Sequence, residues 1–425
     1  MRIISNGNDQ QITVGLDIGS STISCAIAQT KPSSKSVKLL GVSTTNSTGI
    51  KRGIITNRNE LIDTLDKVLS DTELMAGIKV SSVILSITGE HIHSMNTQAA
   101  IALNRINTAP GNRRERAIND QDIFQVLDLA QAVSLPSDRD ILHTLPQEYL
   151  VDTLDEIKDP IGMFGRRLEG RVHLITAART AMSNLVRCVE ELGISVDGLV
   201  FQPLASGLAT LEDDEMELGV TLVEIGSSTT NIAVYYDNAV RHTSVIPIGA
   251  ASITNDIAVM LQLSLNQAEM IKIKYASAIS SMSSDMLNID ISSNNKINRS
   301  ISENEISKYV EARMQEIFNL IIREISRADI KDPLTYGIVM TGGGAELTNL
   351  LTLAENTLGV SVRKGIPIRI KGAQDVANQS HYATVMGLLL WPLYANDHVR
   401  VQRSDNQGLK GFINKIRHTI EEYMF

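Results

Sequence analysis

Leu16-Asp17-Ile18-Gly19-Ser20-Ser21-Thr22 reads as the end of a strand, a tight turn of small hydroxylated residues and the start of a second strand. The chain uses the phrase twice, because Glu224-Ile225-Gly226-Ser227-Ser228-Thr229 is a near-copy in its second half. Each copy follows an apolar run (Val14-Gly15-Leu16 and Thr221-Leu222-Val223) and leads into another, over 23–28 and 232–236. Each is therefore a β-hairpin with a carboxylate just before its turn. Glycine in such a turn lets backbone N–H groups come close to an anion, and the Ser and Thr hydroxyls add donors. A third cluster, Met340-Thr341-Gly342-Gly343-Gly344-Ala345, follows an apolar strand over 336–340. Two hairpins facing one another across a phosphate chain, with a glycine turn where a nucleoside would sit, make a nucleotide clamp.

A chain of 425 residues is too long for one core and implies two or more domains. Its net charge of −9 and pI near 5.5 argue against nucleic acid as a partner, which would call for a basic face. Cys25 and Cys188 lie far apart inside apolar segments, so they read as small core residues of a reducing compartment. The polar start, 1–11, has no signal-peptide character. The longest apolar run, 385–394, is interrupted by Pro392 and falls short of the roughly 20 residues a spanning helix needs. The expectation is a cytoplasmic chain that does not cross a membrane but can lie on one.

Helical spacing appears over 59–70, 120–133, 181–192, 250–263, 266–278, 303–328 and 348–358. Strands are expected over 82–88, 139–152 and 171–178, an exposed excursion over 104–119, and a mobile Ser- and Asn-rich loop over 280–299. The two halves then share a hairpin, strand, helix plan, an internal duplication. His91 and His93 alternate along an expected strand edge with no third ligand nearby, which favours solvated histidines over a metal site.

Taken with their order and spacing, the three glycine clusters resemble the phosphate-1, phosphate-2 and adenosine motifs of the actin-like ATPase superfamily. Further stretches resemble one of its branches, the FtsA family of bacterial division proteins. These are His143-Thr144-Leu145-Pro146-Gln147-Glu148-Tyr149, Gly170-Arg171-Val172-His173-Leu174-Ile175-Thr176, Arg241-His242-Thr243-Ser244-Val245-Ile246-Pro247 and the C-terminal tail. The resemblance implies an α/β fold of duplicated actin-like (ribonuclease H-like) domains with an inserted subdomain, 1C, in place of actin's 1B. The expected parts are 1A over 11–82 and 168–198, 1C over 83–167, 2A over 199–247 and 331–380, and 2B over 248–330. A return to 1A over 381–394, a flexible linker over 395–408 and a terminal amphipathic helix over 409–425 complete the plan.

The same resemblance implies ATP and Mg²⁺ as cofactors. Gly19, Ser20, Ser21, Thr22, Gly226, Ser227, Ser228, Thr229, Gly342, Gly343, Gly344 and Ala345 would line the nucleotide. Asp17 and Glu224 would position Mg²⁺ through water, the alternative being that each acid merely caps its turn. Glu269 and Lys272 match the superfamily's nucleoside clamp, and an i,i+3 surface pair is the alternative. The second motif departs from the family's Asp-Ile-Gly-Gly-Gly-Thr: Glu224 stands for Asp, Ser227 and Ser228 for glycines, and Asn231 where an acid is common. These departures point to nucleotide binding with weak or absent hydrolysis.

The implied partners are the C-terminal peptide of the tubulin-like protein FtsZ, further copies of the chain in actin-like filaments, and other septal division proteins. By position Arg299, Glu311 and Arg313 would meet the FtsZ peptide, or else form a solvated helix face. In the tail, Leu409, Phe412, Ile413, Ile416, Ile420, Tyr423, Met424 and Phe425 recur at steps of three and four, beside Lys410, Lys415, Arg417 and His418. That stripe describes an interfacial helix on an anionic membrane surface, with docking on the protein's own core as the alternative. The expected role is to tether FtsZ to the cytoplasmic side of the inner membrane and help assemble the septal ring. A small-molecule kinase on the same core and a PilM-like pilus-assembly scaffold are the other readings, and neither calls for the tail.

Overall fold

The computed structural model describes residues 10–103, 106–109, 112–114, 116–286, 288–293, 296–328, 333–372 and 379–398. The first lobe begins with the hairpin β1 (Gln11–Ile18) and β2 (Thr22–Lys31), then β3 (Ser36–Asn46), α1 (Arg58–Ala76) and β4 (Ser82–Ile87). Asn57 opens α1, its side chain accepting from the Glu60 N–H, and Gly77 in the left-handed region closes it. An inserted unit follows: β5 (His93–Ala102), α2 (Asp120–Gln131), β6 (Arg139–Val151), β7 (Leu154–Ile157) and β8 (Arg167–Ala178). The chain returns through α3 (Arg179–Glu190), β9 (Ser195–Phe201) and α4 (Gln202–Thr210).

The second lobe comprises β10 (Val220–Ile225), β11 (Thr230–Tyr236), β12 (Ala239–Ile246), α5 (Ala250–Leu261), α6 (Leu265–Tyr275) and α7 (Glu303–Ile325). After it come β13 (Ile338–Thr341), α8 (Leu350–Leu358), β14 (Val362–Lys364), β15 (Ile370–Lys371) and α9 (Ala383–His398).

The two large sheets prove the duplication. The first runs β9-β4-β1-β2-β3-β15 and the second β14-β13-β10-β11-β12. In both, an antiparallel three-strand meander continues into strands parallel to its first member. Parallel strands need covering on both faces, which explains why β1, β4 and β10 are almost continuously apolar. One core lies between the first sheet, α1 and α3, and a second beneath α5, α7 and α8. α9 and α4 cover the other face of the first sheet. Cys25 and Cys188 are buried and unpaired, and burial pushes the Cys25 thiol up to about 12.

Several sequence expectations change. β4 pairs with β1 and β9 in the first sheet, while β8 runs its whole length in the insert's sheet, order β7-β6-β8-β5. The insert therefore starts and ends later in the chain than 83–167. Strand period cannot distinguish these sheets, because sheet membership is decided by long-range pairing. The expected loop over 280–299 contains a hairpin, Asn288–Ser293 with Lys296–Ser302, and the excursion over 104–119 contains another, Ile106–Ala109 with Asn112–Arg114. α9 runs through Pro392 to His398, so helix occupies the start of the expected linker. Leu388, Leu389, Leu390 and Leu393 are buried there, and their packing outweighs the one helical hydrogen bond proline removes. His93 is exposed, but His91 is half-buried with neither ring nitrogen bonded, and burial with nearby Arg139 lowers its pKa.

Candidate functional site

The two hairpin turns are built alike. Gly19 N–H donates to Thr22 O at 3.0 Å and Gly226 N–H to Thr229 O at 2.9 Å. α5 abuts the second turn, since Ala250 and Ala251 N–H donate to Gly226 O and Ser227 O at 2.9 and 2.8 Å. The third cluster lies against the same turn. A β-carbon at Gly344 would stand 2.3 Å from Ile225 Cγ2, and one at Gly342 (φ +84°) 2.6 Å from Ile225 O, so both approaches require glycine. Gly226, Ser227 and Ser228 remain partly open, Gly343 is exposed, and Ser21 and Thr22 are exposed on the first turn.

Behind the turns, a buried chain of side chains links the two carboxylates. Asp17 Oδ1 accepts from Ser86 Oγ at 2.6 Å and Gln202 Nε2 at 2.8 Å. Gln202 Oε1 accepts from Asn231 Nδ2 at 3.2 Å, and the same Nδ2 lies 3.2 Å from Glu224 Oε2. Asn231 Oδ1 accepts from Thr88 Oγ1 at 2.7 Å, and Thr384 Oγ1 of α9 donates to Glu224 Oε1. Six elements, β1, β4, α4, β10, β11 and α9, thus contribute to one line running from the first lobe to the second.

Neither carboxylate has a basic partner among the described residues. Burial raises the Asp17 carboxyl against the donors Ser86 and Gln202. Burial also lifts Glu224 to about 7, opposed by Thr384 and reinforced by the Asp17 charge. No group of three metal-ligating side chains occurs among the described residues. Two oxygen donors lacking a counter-charge suit Mg²⁺, which keeps waters and takes phosphate oxygens for its remaining ligands.

Gln202, Ser86, Thr88 and Thr384 were not singled out from sequence. Gln202 had a usable signal, being a polar residue at the head of a wholly buried helix. Replacing Gln202 with Leu should cost about 2 kcal/mol, because Asp17 loses an amide donor and Asn231 an acceptor where water is excluded. Urea unfolding of Gln202→Leu beside wild type checks this, and unchanged stability would show that the chain carries no net energy.

Glu269 and Lys272 do form an i,i+3 pair, at 2.8 Å. Lys272 Nζ also donates to Thr254 Oγ1 at 2.9 Å and Ala250 O at 3.3 Å, which fixes the pair at the helix start beside the second turn. Arg313 is held by Asp256 in a two-point contact of 2.7 and 2.9 Å and also bonds Glu316, while Glu311 accepts from Ser280 N–H at 2.8 Å. Arg299 stands on the strand Lys296–Ser302, with its side chain outside the described atoms. The tail residues Leu409, Phe412, Ile413, Ile416, Ile420, Met424 and Phe425 lie outside the described residues.

A second set of contacts joins the insert to the far lobe. His173 bonds Asn96 Oδ1 at 2.6 Å and Thr243 Oγ1 at 2.9 Å, and Gln147 Nε2 donates to Val240 O at 2.8 Å. Ser94 Oγ donates to Thr243 O at 2.7 Å, and Lys158 pairs with Asp237. Three of the stretches singled out above, those containing Gln147, His173 and Thr243, meet here. His143 instead faces the first lobe, accepting from Phe201 N–H at 3.0 Å beside Trp391.

Duplicated sheets closing on paired carboxylate turns define a protein of the actin-like fold. Solved structures agree: the PilM–PilN type IV pilus biogenesis complex superposes with a TM-score of 0.64 at 15% identity, over 90% of this chain and 98% of that one. MreB5 of Spiroplasma citri bound to AMPPNP gives 0.54 at 12% identity, over 92% and 98%. In sequence, the model of the cell division protein FtsA matches residues 221–387, and that of the SHS2 domain inserted in FtsA matches 89–176. Cell division protein FtsA of Pseudomonas aeruginosa is 36% identical over 384 residues, covering 90% of this chain and 89% of the relative. FtsA of Escherichia coli K12 is 32% identical over 418 residues, covering 96% and 97%. This chain belongs to the FtsA family of cell division proteins. No helix among the described residues is long and apolar enough to cross a membrane.

Proposed function

We propose that the chain binds ATP with Mg²⁺ between its two hairpin turns and tethers FtsZ to the cytoplasmic face of the membrane at the division septum. The observation that carries the nucleotide reading is the pair Asp17 and Glu224, joined by a buried polar chain and lacking a counter-ion among the described residues. The Gly19 and Gly226 N–H groups close their own turns, so the serine N–H groups of the two turns would meet the phosphates, and the Lys272–Glu269 pair would hold the ribose. MreB5 of Spiroplasma citri, which shares the fold, is bound to AMPPNP in its solved structure, and that supports the reading of a nucleotide-binding protein. When bound, Mg²⁺ would neutralise phosphate charge. Asp17 and Glu224 would orient its water shell, while Asn231 supplies an amide rather than a base, so binding is expected to outweigh hydrolysis.

The membrane part rests on the apolar stripe at 409–425 and its flanking Lys410, Lys415 and Arg417. The FtsZ peptide is assigned to the face of α7 and the strand before it. Arg313 is already committed to Asp256 there, which leaves Arg299 as the proposed carboxylate donor. Assembly of copies into filaments and recruitment of other septal proteins complete the reading.

Co-sedimentation with anionic liposomes tests it, comparing the full chain with one ending at Gly408, with and without Mg-ATP. The full chain alone should pellet, and more strongly with Mg-ATP. If both chains stay in the supernatant, the tail is instead a docked helix and a small-molecule kinase is favoured.

A further inference from the structure

The tip of the β2–β3 hairpin gathers positive charge on a protein whose net charge is −9. Lys38 stands opposite Gln29 of β2 and Lys371 of β15 in register, and the two-residue strand period puts Lys31 on the same face as Gln29. Lys31, Lys38 and Lys371 are all exposed, and none makes an ion pair among the described residues. Lys35, in the turn itself, lies over the Tyr394 ring at 4.7 Å, and the Arg369 guanidinium lies 5.8 Å from the same ring. Tyr394 is in the last turns of α9, which ends at His398, and the basic, apolar-striped tail follows in sequence.

Exposed apolar side chains stand at the end of α1, which packs on the same sheet. α1 ends against Gly41 of β3, where an added β-carbon would stand 3.3 Å from Met75 Cβ, and Leu74 and Met75 are 85% and 65% exposed. The acids on the elements packed here are partly engaged, and Glu212, Asp214 and Glu217 on either side of Asp213 are exposed. Glu73 bonds Lys79 at 2.5 Å, Asp213 bonds Arg369 at 2.6 Å, and Asp71 is exposed one turn before Met75.

We propose that this hairpin tip, through Lys31, Lys38 and Lys371 and with the exposed Leu74 and Met75 at the end of α1 on the same sheet, is a second membrane-contact surface that meets anionic lipid headgroups directly. The inference rests on the membrane reading above and adds to it an orientation for the body. A tail alone leaves the body free to rotate on its tether, whereas lysines on the body fix which face looks at the lipid. Exposed apolar residues together with cations are the composition that settles at a headgroup boundary. A lysine beside an anionic leaflet strengthens binding roughly fivefold, about 1 kcal/mol.

The test uses the full chain on vesicles of mixed phosphatidylglycerol and phosphatidylcholine. Lys31→Glu/Lys38→Glu/Lys371→Glu is compared with a control of equal charge change, Lys51→Glu/Lys67→Glu/Lys308→Glu. The hairpin-tip variant should lose at least about tenfold in vesicle affinity relative to that control. The milder Lys→Gln triple should lose less, and added salt should shrink both differences. Equal affinities for the hairpin-tip variant and the control would overturn the inference while leaving the tail as the anchor. A wild-type chain that ignores the vesicles altogether would overturn the membrane reading and this inference together. An equal loss on pure phosphatidylcholine would also overturn it, because the effect would then not depend on lipid charge.

Discussion

Between about pH 5 and pH 8, the metal- and nucleotide-free protein is expected to lose about 3 kcal/mol of stability through Glu224. The carboxyl is buried, Asp17 lies on the same polar chain, and its pKa rises from 4.5 to about 7 on folding. A carboxyl raised on folding binds more protons in the native state. Its contribution is therefore complete below the unfolded value of 4.5 and disappears as pH climbs through 7. Asp17, also raised by burial, adds to the loss with the same sign. Glu224→Gln keeps the shape and the acceptor for Thr384 while removing the charge. It should flatten the profile and leave the variant more stable than wild type at pH 8. Urea unfolding in EDTA across this range reads it directly. Parallel profiles for wild type and variant would mean that Glu224 titrates as an ordinary carboxyl and that water reaches it.

Gly387→Ala should be the most damaging small substitution in the C-terminal helix. α9 crosses α4 so closely that a β-carbon at Gly387 would stand 1.7 Å from Ala205 O and 2.2 Å from its carbonyl carbon. Backbone cannot swing aside as a long side chain can, so the helices must part. Overpacking of this kind costs about 3 kcal/mol, the upper end of the usual range. Thr384, one turn earlier, donates to Glu224, so separation of the helices should also disturb the pH profile. Gly198→Ala, where nothing lies within 4 Å of the added carbon, is the control. Thermal unfolding of the two variants should separate them clearly. Equal melting temperatures would show that the crossing relaxes without cost.

What could be read from the sequence was whatever a short window decides. Gly19 and Gly226 announce their turns because the apolar strands stand on either side, and both hairpins form where expected. α2 and α7 show their buried stripes in their spacing, Ile123, Val126 and Leu127 in one and Val310, Met314 and Ile317 in the other. What depends on pairing across the chain was hidden. β4 and β8 both look like strands, and nothing local says that one belongs to the first lobe and the other to the insert. The site was half legible for the same reason. Asp17 and Glu224 sit beside visible turns, whereas Ser86 and Thr88 at the end of β4, Gln202 of α4 and Thr384 of α9 are brought to them by three distant parts of the chain. The helix through Pro392 to His398 was hidden likewise, because an interior proline breaks a helix only where tertiary packing does not override it.

The bonds from His173, Gln147 and Ser94 to the β12 backbone and Thr243 make the insert more than an appendage of the first lobe. It is covalently part of one lobe and hydrogen-bonded to the other, while Asp17, Gln202, Asn231 and Glu224 tie the same two lobes at the cleft. The insert thus adds a fastening of its own to those around the cleft, among them Thr384 to Glu224 and Tyr235 to the Pro203 carbonyl, and a body fastened at more than one place cannot hinge at one joint alone. If the turns spread apart, either the outer fastening tears or the insert swings with the far lobe like a crank on its shaft. A displacement of a few tenths of an ångström at the carboxylates would then reappear, lengthened by the lever arm, at the outer rim of the insert around Phe124 and Phe164, which is exposed and apolar.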